Sequence, residues 1–549
     1  MAEQRRPVDN CRENQQRGLD AAELMPRDHL DIPGVFSCVI DRRPDAQLAA
    51  LRWFVSLTTI AGVPGENLVL FAVGDGPSDV LDYLRAQGVT VRPVPPFESR
   101  SPYCDRIAGA LSLAATGVQG LAVLTATDVV ILEDPRSIPI PPGSVGLTRG
   151  CAPLPADTPA DLLAAAELTA PASTHNHQLA LSVTDRQEGD SSFILVPGEL
   201  LPEVARAWSQ CATFLLERPG AAESWEPFIA PVALTMALAG HRFGIHDLDG
   251  RWNVSTEELP WPGSRTGSPA VLRYGDRVDR KGFLLPANFV DVDERIAEVN
   301  AAVHRLWQEA FPSATFWEWR YRDDPELGSG VGSRGQALKE KRDLLKAVID
   351  LLRPASVLDV GCGDGETTQG IPIAKYTGID LSQTAVERAR LERPDGEFRV
   401  GTLTDNRADA ELTLCLDVLI HQSSAQTYED LISTLCSGSR AILLSGLQRR
   451  PTRTTAMVHF HEPLSTTITR LVPDARLYPL RKASGVTTLL VLRPAPPGSP
   501  KRKASFRVRL GLRRLQLQFA VLRLRRVLGT TARQRTGGAP GPRLRRRPG

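Results

Sequence analysis

Asp359 and Asp380 stand twenty-one residues apart, with glycine at 361, 363 and 365 between them. Glycines at alternate positions after a short apolar run let a ligand come close to the backbone, because a Cβ there would block the approach. A carboxylate closing the next strand, as Asp380 does, can accept both hydroxyls of a ribose. Together these residues point to a nucleotide-type cofactor. Farther on, Asp417 and His421 carry acid–base chemistry, and His421 is the leading candidate for a general base. The ordinary alternative is a histidine that caps a helix or packs in a pocket wall. His459 and His461 in Met457-Val-His-Phe-His-Glu462 resemble a metal pair by composition, and strand spacing would point both the same way. No third ligand is evident nearby, and no metal is assigned.

These side chains need a parallel sheet to hold them. The apolar run Ser356–Val360 reads as a strand that opens into the glycine loop, followed by a helix at Thr367–Ile371 and strand Tyr376–Ile379. Helix Ser382–Glu392, strand Leu412–Leu416, helix Ala425–Ser437 and strands Arg440–Ser445 and Thr487–Leu492 complete the unit, with helix Gln336–Leu352 before it. A second glycine string, Gly330-Val-Gly-Ser-Arg-Gly335, matches the dinucleotide pattern more literally. What precedes it is charged and contains proline, so the strand–loop–helix context is absent and it reads as a mobile loop. In the N-terminal half, strands are expected at Val35–Ile40, Leu68–Val73, Val89–Val94, Ala122–Thr125 and Ser192–Val196. Helices are expected at Ala46–Ala61, Ser78–Gln87 and Cys104–Ala115. Residues 152–172, rich in Pro and Ala, read as an insertion or flexible loop.

At 549 residues the chain is too long for one ordinary domain. The reading is α/β: a flexible leader at 1–31, an α/β domain at 32–290, a helical connector and glycine-rich loop at 291–335, a second α/β domain at 336–495, and a basic tail at 496–549. Eight scattered cysteines without a CxxC pair fit reduced thiols, and the polar N-terminus lacks a signal peptide's apolar core, so a cytoplasmic location is expected. Residues 501–549 hold 16 Lys or Arg and no acid, against 49 basic and 63 acidic side chains in 1–500. The mixture of apolar and basic residues at Phe506–Leu528 fits attachment to an anionic membrane surface, or a tail that touches the acidic body. The helical or strand period is undecided. No specific nucleic-acid-binding domain is evident, and the oligomeric state is not legible.

VLDVGCGDG followed by YTGIDLS resembles motifs I and II of the class I S-adenosylmethionine-dependent methyltransferases, a likeness covering about 316–495. The resemblance implies a Rossmann-like, seven-stranded, mostly parallel sheet with S-adenosyl-L-methionine as cofactor. It implies Asp359 near the methionine amino group, Gly361, Gly363 and Gly365 along the methionine and ribose side, and Asp380 on the ribose hydroxyls. Thr402 and Leu403 fall on the adenine side. The family often has an acid where Thr402 stands, so that contact is lost here or supplied by backbone. More faintly, 32–290 resembles the GT-A-fold, glycogenin-like glycosyltransferases, through Val123-Leu-Thr-Ala126-Thr-Asp128, Ser191–Leu200, Arg251-Trp-Asn253 and Val271-Leu-Arg273-Tyr274. Active relatives hold manganese with two acids and a late histidine. Ala126 and Arg273 replace two of these, leaving Asp128 alone, and one carboxylate does not make a tight divalent site. Arg273 can instead meet a diphosphate directly. Three readings of this half stand: a metal-independent transferase, a sugar-nucleotide or glycan-binding module, or an inactive scaffold. With it as a fused neighbour, the expected reaction is O-methylation of a sugar, glycan or glycosylated metabolite. The alternatives are a glycosyltransferase with an accessory methyltransferase domain and a non-catalytic binding scaffold.

Overall fold

A computed structural model describes residues 33–98, 101–149, 189–217, 229–241, 243–257, 266–452, 456–483, 485–494 and 511–517. The expected leader, the 152–172 insertion and most of the basic tail lie outside the described residues. The chain divides into two compact units, Met1–Leu306 and Trp307–Gly549.

In the first unit, β1 (Pro33–Ile40), β2 (Leu68–Val73), β3 (Thr90–Val94), β4 (Gln119–Thr125), β6 (Ser144–Arg149), β7 (Gly189–Pro197) and β8 (Gly244–Asp247) form one sheet, ordered β3-β2-β1-β4-β7-β6-β8. The β1, β2, β3 and β4 pairings are parallel, in keeping with the continuous apolar run and full burial of β2, whereas β7 runs antiparallel to β4 and to β6. Helix α1 (Pro44–Val55) sets Trp53 fully in the core, where its indole donates to Thr125 Oγ1 at 2.9 Å. Helices α2 (Asp79–Ala86), α3 (Asp105–Ala114), α4 (Leu201–Leu216) and α5 (Ile229–Gly240) follow. Trp208 on α4 is buried and donates to the Ala230 carbonyl at 2.8 Å, fixing α4 to α5. A small second sheet pairs β10 (Val271–Arg273) with β5 (Val129–Ile131) and β9 (Val254–Ser255). Helix α6 (Val290–Glu309) occupies the expected connector.

The second unit has helix α7 (Ser313–Asp323), helix α8 (Gly335–Leu352), and strands β11 (Val357–Val360), β12 (Tyr376–Asp380), β13 (Glu397–Val400), β14 (Ala410–Cys415), β15 (Ser439–Leu447), β16 (Arg476–Ala483) and β17 (Val486–Leu492). Their order is β13-β12-β11-β14-β15-β17-β16; β17 alone runs against its two neighbours. The strand order reverses beside β11, so the ends of β11, β12 and β14 meet at one crevice, where open α/β sheets bind ligands. Helix α8 buries Leu344, Leu345, Val348 and Ile349 at helical spacing, and ends where Arg353 turns left-handed before Pro354. Helices α9 (Gln383–Glu392) and α10 (Ala425–Gly438) each start on a serine cap, Ser382 and Ser424, whose hydroxyls accept from Ala385 N and Thr427 N at 3.0 Å. Helix α11 (Leu464–Leu471) packs Leu464 and Ile468 into the core.

Two expectations need correction. Thr367–Ile371 is a series of turns: five residues between Gly365 and Pro372, with Gly370 at φ +67°, do not sustain a helix. The stretch 328–335 is a turn packed against the main glycine loop, with a short 3₁₀ segment at Val331–Ser333, and not a mobile loop. Residues 511–517 of the tail form a helical segment whose Leu512 is fully buried in the core of this unit.

Candidate functional site

A cavity of about 370 Å³ opens at the crevice of the second sheet, within the range of small-molecule sites. Asp359, Gly361, Gly363, Asp380, Thr402 and Leu403 all line it, as do Asp417 and His421. Gly365 does not. Its missing side chain lets α9 approach, since a Cβ would stand 3.2 Å from Ala389 Cα.

Gly363 carries the close approach. Its φ is +57°, and a Cβ would fall 2.5 Å from Ser329 Oγ and 2.7 Å from the Tyr321 hydroxyl. Gly363 N donates to Asp380 Oδ2 at 2.9 Å and Ser382 N to Oδ1 at 3.0 Å, so backbone fixes both carboxylate oxygens while leaving lone pairs toward the cavity. Burial nevertheless pushes the Asp380 carboxyl above its ordinary range. Asp359 is buried at the end of β11 and accepts from Tyr376 OH at 2.8 Å. Burial pushes it up to about 6, against the Tyr376 hydrogen bond. On the far side, Thr402 holds no acid, but Asp405 folds back: Thr402 N donates to its Oδ2 at 3.2 Å and Thr402 Oγ1 at 2.5 Å.

Asp417 follows β14 with φ +63°, a costly backbone for a residue with a Cβ. Ser445 Oγ donates to its Oδ1 at 2.7 Å and Lys341 Nζ lies 2.5 Å from Oδ2. Burial alone would raise this carboxyl; the Lys341 ammonium holds it below the usual range. His421 Nδ1 meets the Met457 carbonyl at 2.7 Å. A carbonyl only accepts, so Nδ1 carries the proton and Nε2 keeps a free lone pair. Burial lowers its pKa, with the Met457 contact and Asp417 opposing. Trp317 meets the His421 ring edge-on at 5.1 Å.

The motif reading missed the chain before it. Trp317, Tyr321, Ser329, Ser333 and Lys341 also line the cavity. Glu318 ties α7 down by accepting from Ser382 Oγ at 2.6 Å and Thr384 Oγ1 at 2.6 Å. The aromatic segment Phe316–Tyr321 was the available signal. His461 Nε2 is committed to the Gln422 carbonyl at 2.8 Å. Among the described residues, no group of three His, Cys, Asp or Glu is placed to hold a metal ion. In the first unit, Asp128 follows β4, and its carbonyl accepts from Tyr274 N at 2.9 Å, next to Arg273. The structure thus brings the two together, with Arg52 donating to Tyr274 OH at 3.0 Å.

Residues 358–442 match a family model described as a methyltransferase domain. The second unit contains a methyltransferase domain. The solved methyltransferases that it resembles bind S-adenosylmethionine or S-adenosyl-L-homocysteine. Similar solved structures include magnesium protoporphyrin IX methyltransferase from Synechocystis PCC 6803 with S-adenosylmethionine bound, at 20% identity over 33% of this chain and 97% of that one, TM-score 0.27. N-methyltransferase NodS from Bradyrhizobium japonicum WM9, in complex with S-adenosyl-l-homocysteine, matches at 15% identity over 36% of this chain and 98% of its own, TM-score 0.26. Human N-acetylserotonin methyltransferase matches at 18% over 40% and 63%, TM-score 0.24. Among the described residues, no helix is long and apolar enough to cross a membrane.

Proposed function

We propose that the methyltransferase domain O-methylates a sugar, glycan or glycosylated metabolite. The observation that carries this reading is His421: it lines the same cavity as Asp359, Gly363 and Asp380, and the Met457 carbonyl engages its Nδ1, leaving Nε2 as the basic nitrogen. The residues fit the cofactor. A cavity of about 370 Å³ lined by the buried Asp359 and the half-buried Asp380, on either side of the glycine loop, suits an adenosine joined to an amino acid. When bound, S-adenosyl-L-methionine supplies a methyl group on a sulfonium centre.

Asp380 would accept the ribose hydroxyls and Asp359 would hold the amino group, with Thr402 and Leu403 on the adenine side. Trp317 gives the acceptor an indole on which the apolar face of a pyranose can stack, next to the base. His421 Nε2 would take the acceptor hydroxyl proton as the oxygen–carbon bond forms and the sulfur–carbon bond breaks, the thioether S-adenosylhomocysteine being the leaving group, and Asp417 would stabilise the resulting imidazolium. Lys341 and Ser445 keep Asp417 ionised for that role. The first unit then serves as a GT-A-like module that holds a sugar nucleotide or glycan through Asp128 and Arg273.

Titration calorimetry with S-adenosylmethionine tests the cofactor site: Asp380→Ala is expected to weaken binding at least tenfold, and unchanged affinity would sink that assignment. Labelled-methyl transfer to a panel of sugars and glycolipids tests the acceptor. Loss of turnover in His421→Gln with cofactor affinity intact is the expected result. Transfer only to non-carbohydrate hydroxyls would overturn the acceptor class.

A further inference from the structure

The segment 456–462 runs beside the turn that carries His421 and is fastened to it residue by residue. His421 Nδ1 donates to Met457 O at 2.7 Å, His459 N donates to Ile420 O at 2.8 Å, and His461 Nε2 meets Gln422 O at 2.8 Å. The segment is fixed at both ends as well. Gln308 Nε2 donates to Ala456 O at 2.8 Å, and Thr467 Oγ1 donates to Glu462 Oε2 at 2.8 Å, where Arg470 also reaches it at 3.0 Å. The rings of His459 and His461 lie parallel, their centroids 6.4 Å apart, and Tyr428 packs on His461 at 5.4 Å.

A neutral imidazole has one N–H, and a carbonyl can only accept. The contact with Gln422 therefore makes Nε2 the donor on His461, just as the Met457 contact makes Nδ1 the donor on His421. We infer that His461 is a positioning residue for the base. By holding the carbonyl of Gln422, the residue next to His421, it keeps the 420–422 turn against the segment and His421 Nδ1 on the Met457 carbonyl. The Nε2 lone pair then stays turned to the cavity. Such outer contacts fix the tautomer and direction of a working imidazole. This inference rests on reading His421 as the base, but its test does not use turnover.

The experiment is long-range proton–nitrogen correlation on the full chain labelled with ¹⁵N-histidine, at about pH 7.5, above the ordinary histidine range. Nine histidines give few signals, and the set missing from His421→Gln identifies His421. The expected pattern is a neutral ring protonated on Nδ1. In His461→Ala this pattern should give way to a mixture containing the Nε2–H form. In His461→Gln, whose amide can still donate to the Gln422 carbonyl, it should return. If alanine unfolds the unit, His461→Phe keeps the ring packing and removes only the donor, and the same change is expected there. An unchanged His421 pattern in the folded variant, or an Nε2–H ring in the parent protein, overturns the inference. Intact tautomer control in a protein whose His421→Gln variant still transfers methyl groups would fault the base assignment instead.

Discussion

Lys341 Nζ lies 2.5 Å from Asp417 Oδ2, a buried cation from α8 closing onto the strained residue that ends β14. The same ammonium donates to Ser333 Oγ at 2.8 Å. One side chain thus joins the glycine-rich turn before α8 to the cavity edge of the sheet.

Breaking that pair leaves a carboxylate without its counter-ion. Lys341→Met is expected to destabilise the second unit by about 3 kcal/mol, some 6–12 °C in midpoint for a unit of this size. Scanning calorimetry of the full chain reads it. Lys341→Met with Asp417→Asn should recover most of the loss, because no unpaired charge remains.

Asp359 predicts a pH dependence whose sign runs opposite for stability and for binding. Its folded-state pKa, pushed up to about 6, lies above the ordinary carboxylate value. The folded protein holds this proton more tightly, so the group's contribution is present at low pH and is lost as pH rises through about 6. Asp359→Asn should therefore stabilise the cofactor-free protein at about pH 8, by on the order of 3 kcal/mol for a two-unit shift. Cofactor affinity should instead rise with pH through about 6, as the ionised carboxylate becomes available to the ammonium, and level off above. In Asp359→Asn calorimetry should find the affinity weak and flat across that range.

Gly363→Ala pushes a methyl group into Ser329 and Tyr321 at a left-handed backbone position. Loss of detectable cofactor binding is expected, with about 1–2 kcal/mol of stability. Gly370→Ala is the control. It shares the positive φ, yet a Cβ there comes no nearer than 3.8 Å to Arg342, so the stability cost should appear without the loss of binding.

Leu512 is buried within the core of the second unit, and Gln516 donates to the Pro479 carbonyl at 3.3 Å. Leu512→Ala is expected to cost about 2–3 kcal/mol by chemical denaturation. Pelleting with phosphatidylserine vesicles separates this packing role from membrane attachment. The full chain should pellet more than one ending at 517, and equal pelleting would exclude 518–549 as the attachment.

Strands β11 and β12 were legible because both are buried along almost their whole length and carry an acid at or next to their ends, Asp359 and Asp380. Strand β13 buries only Phe398 among its four residues, too little for an apolar run. Strand β16 lies at the sheet edge, carries Arg476, Arg481 and Lys482, and shifts register around Pro479. Local patterning reads such a strand as loop. Asp417 and His421 stood out by their place after β14, but Lys341 did not: it looks like one more exposed helix lysine until the fold turns it inward. The string 330–335 has no strand before it, yet Ser329 and Arg334 beside its glycines bind Asp364 of the loop that has one.

Trp317, Tyr321, Ser329 and Ser333 all precede the start of α8 and all face the cavity. A gene fragment cut at 336 would encode every recognisable motif and yet produce a cleft lacking one wall. The smallest portable piece of this enzyme begins no later than α7. Any natural or laboratory recombination that moves the methyltransferase into another chain must carry the stretch from Ser313 with it.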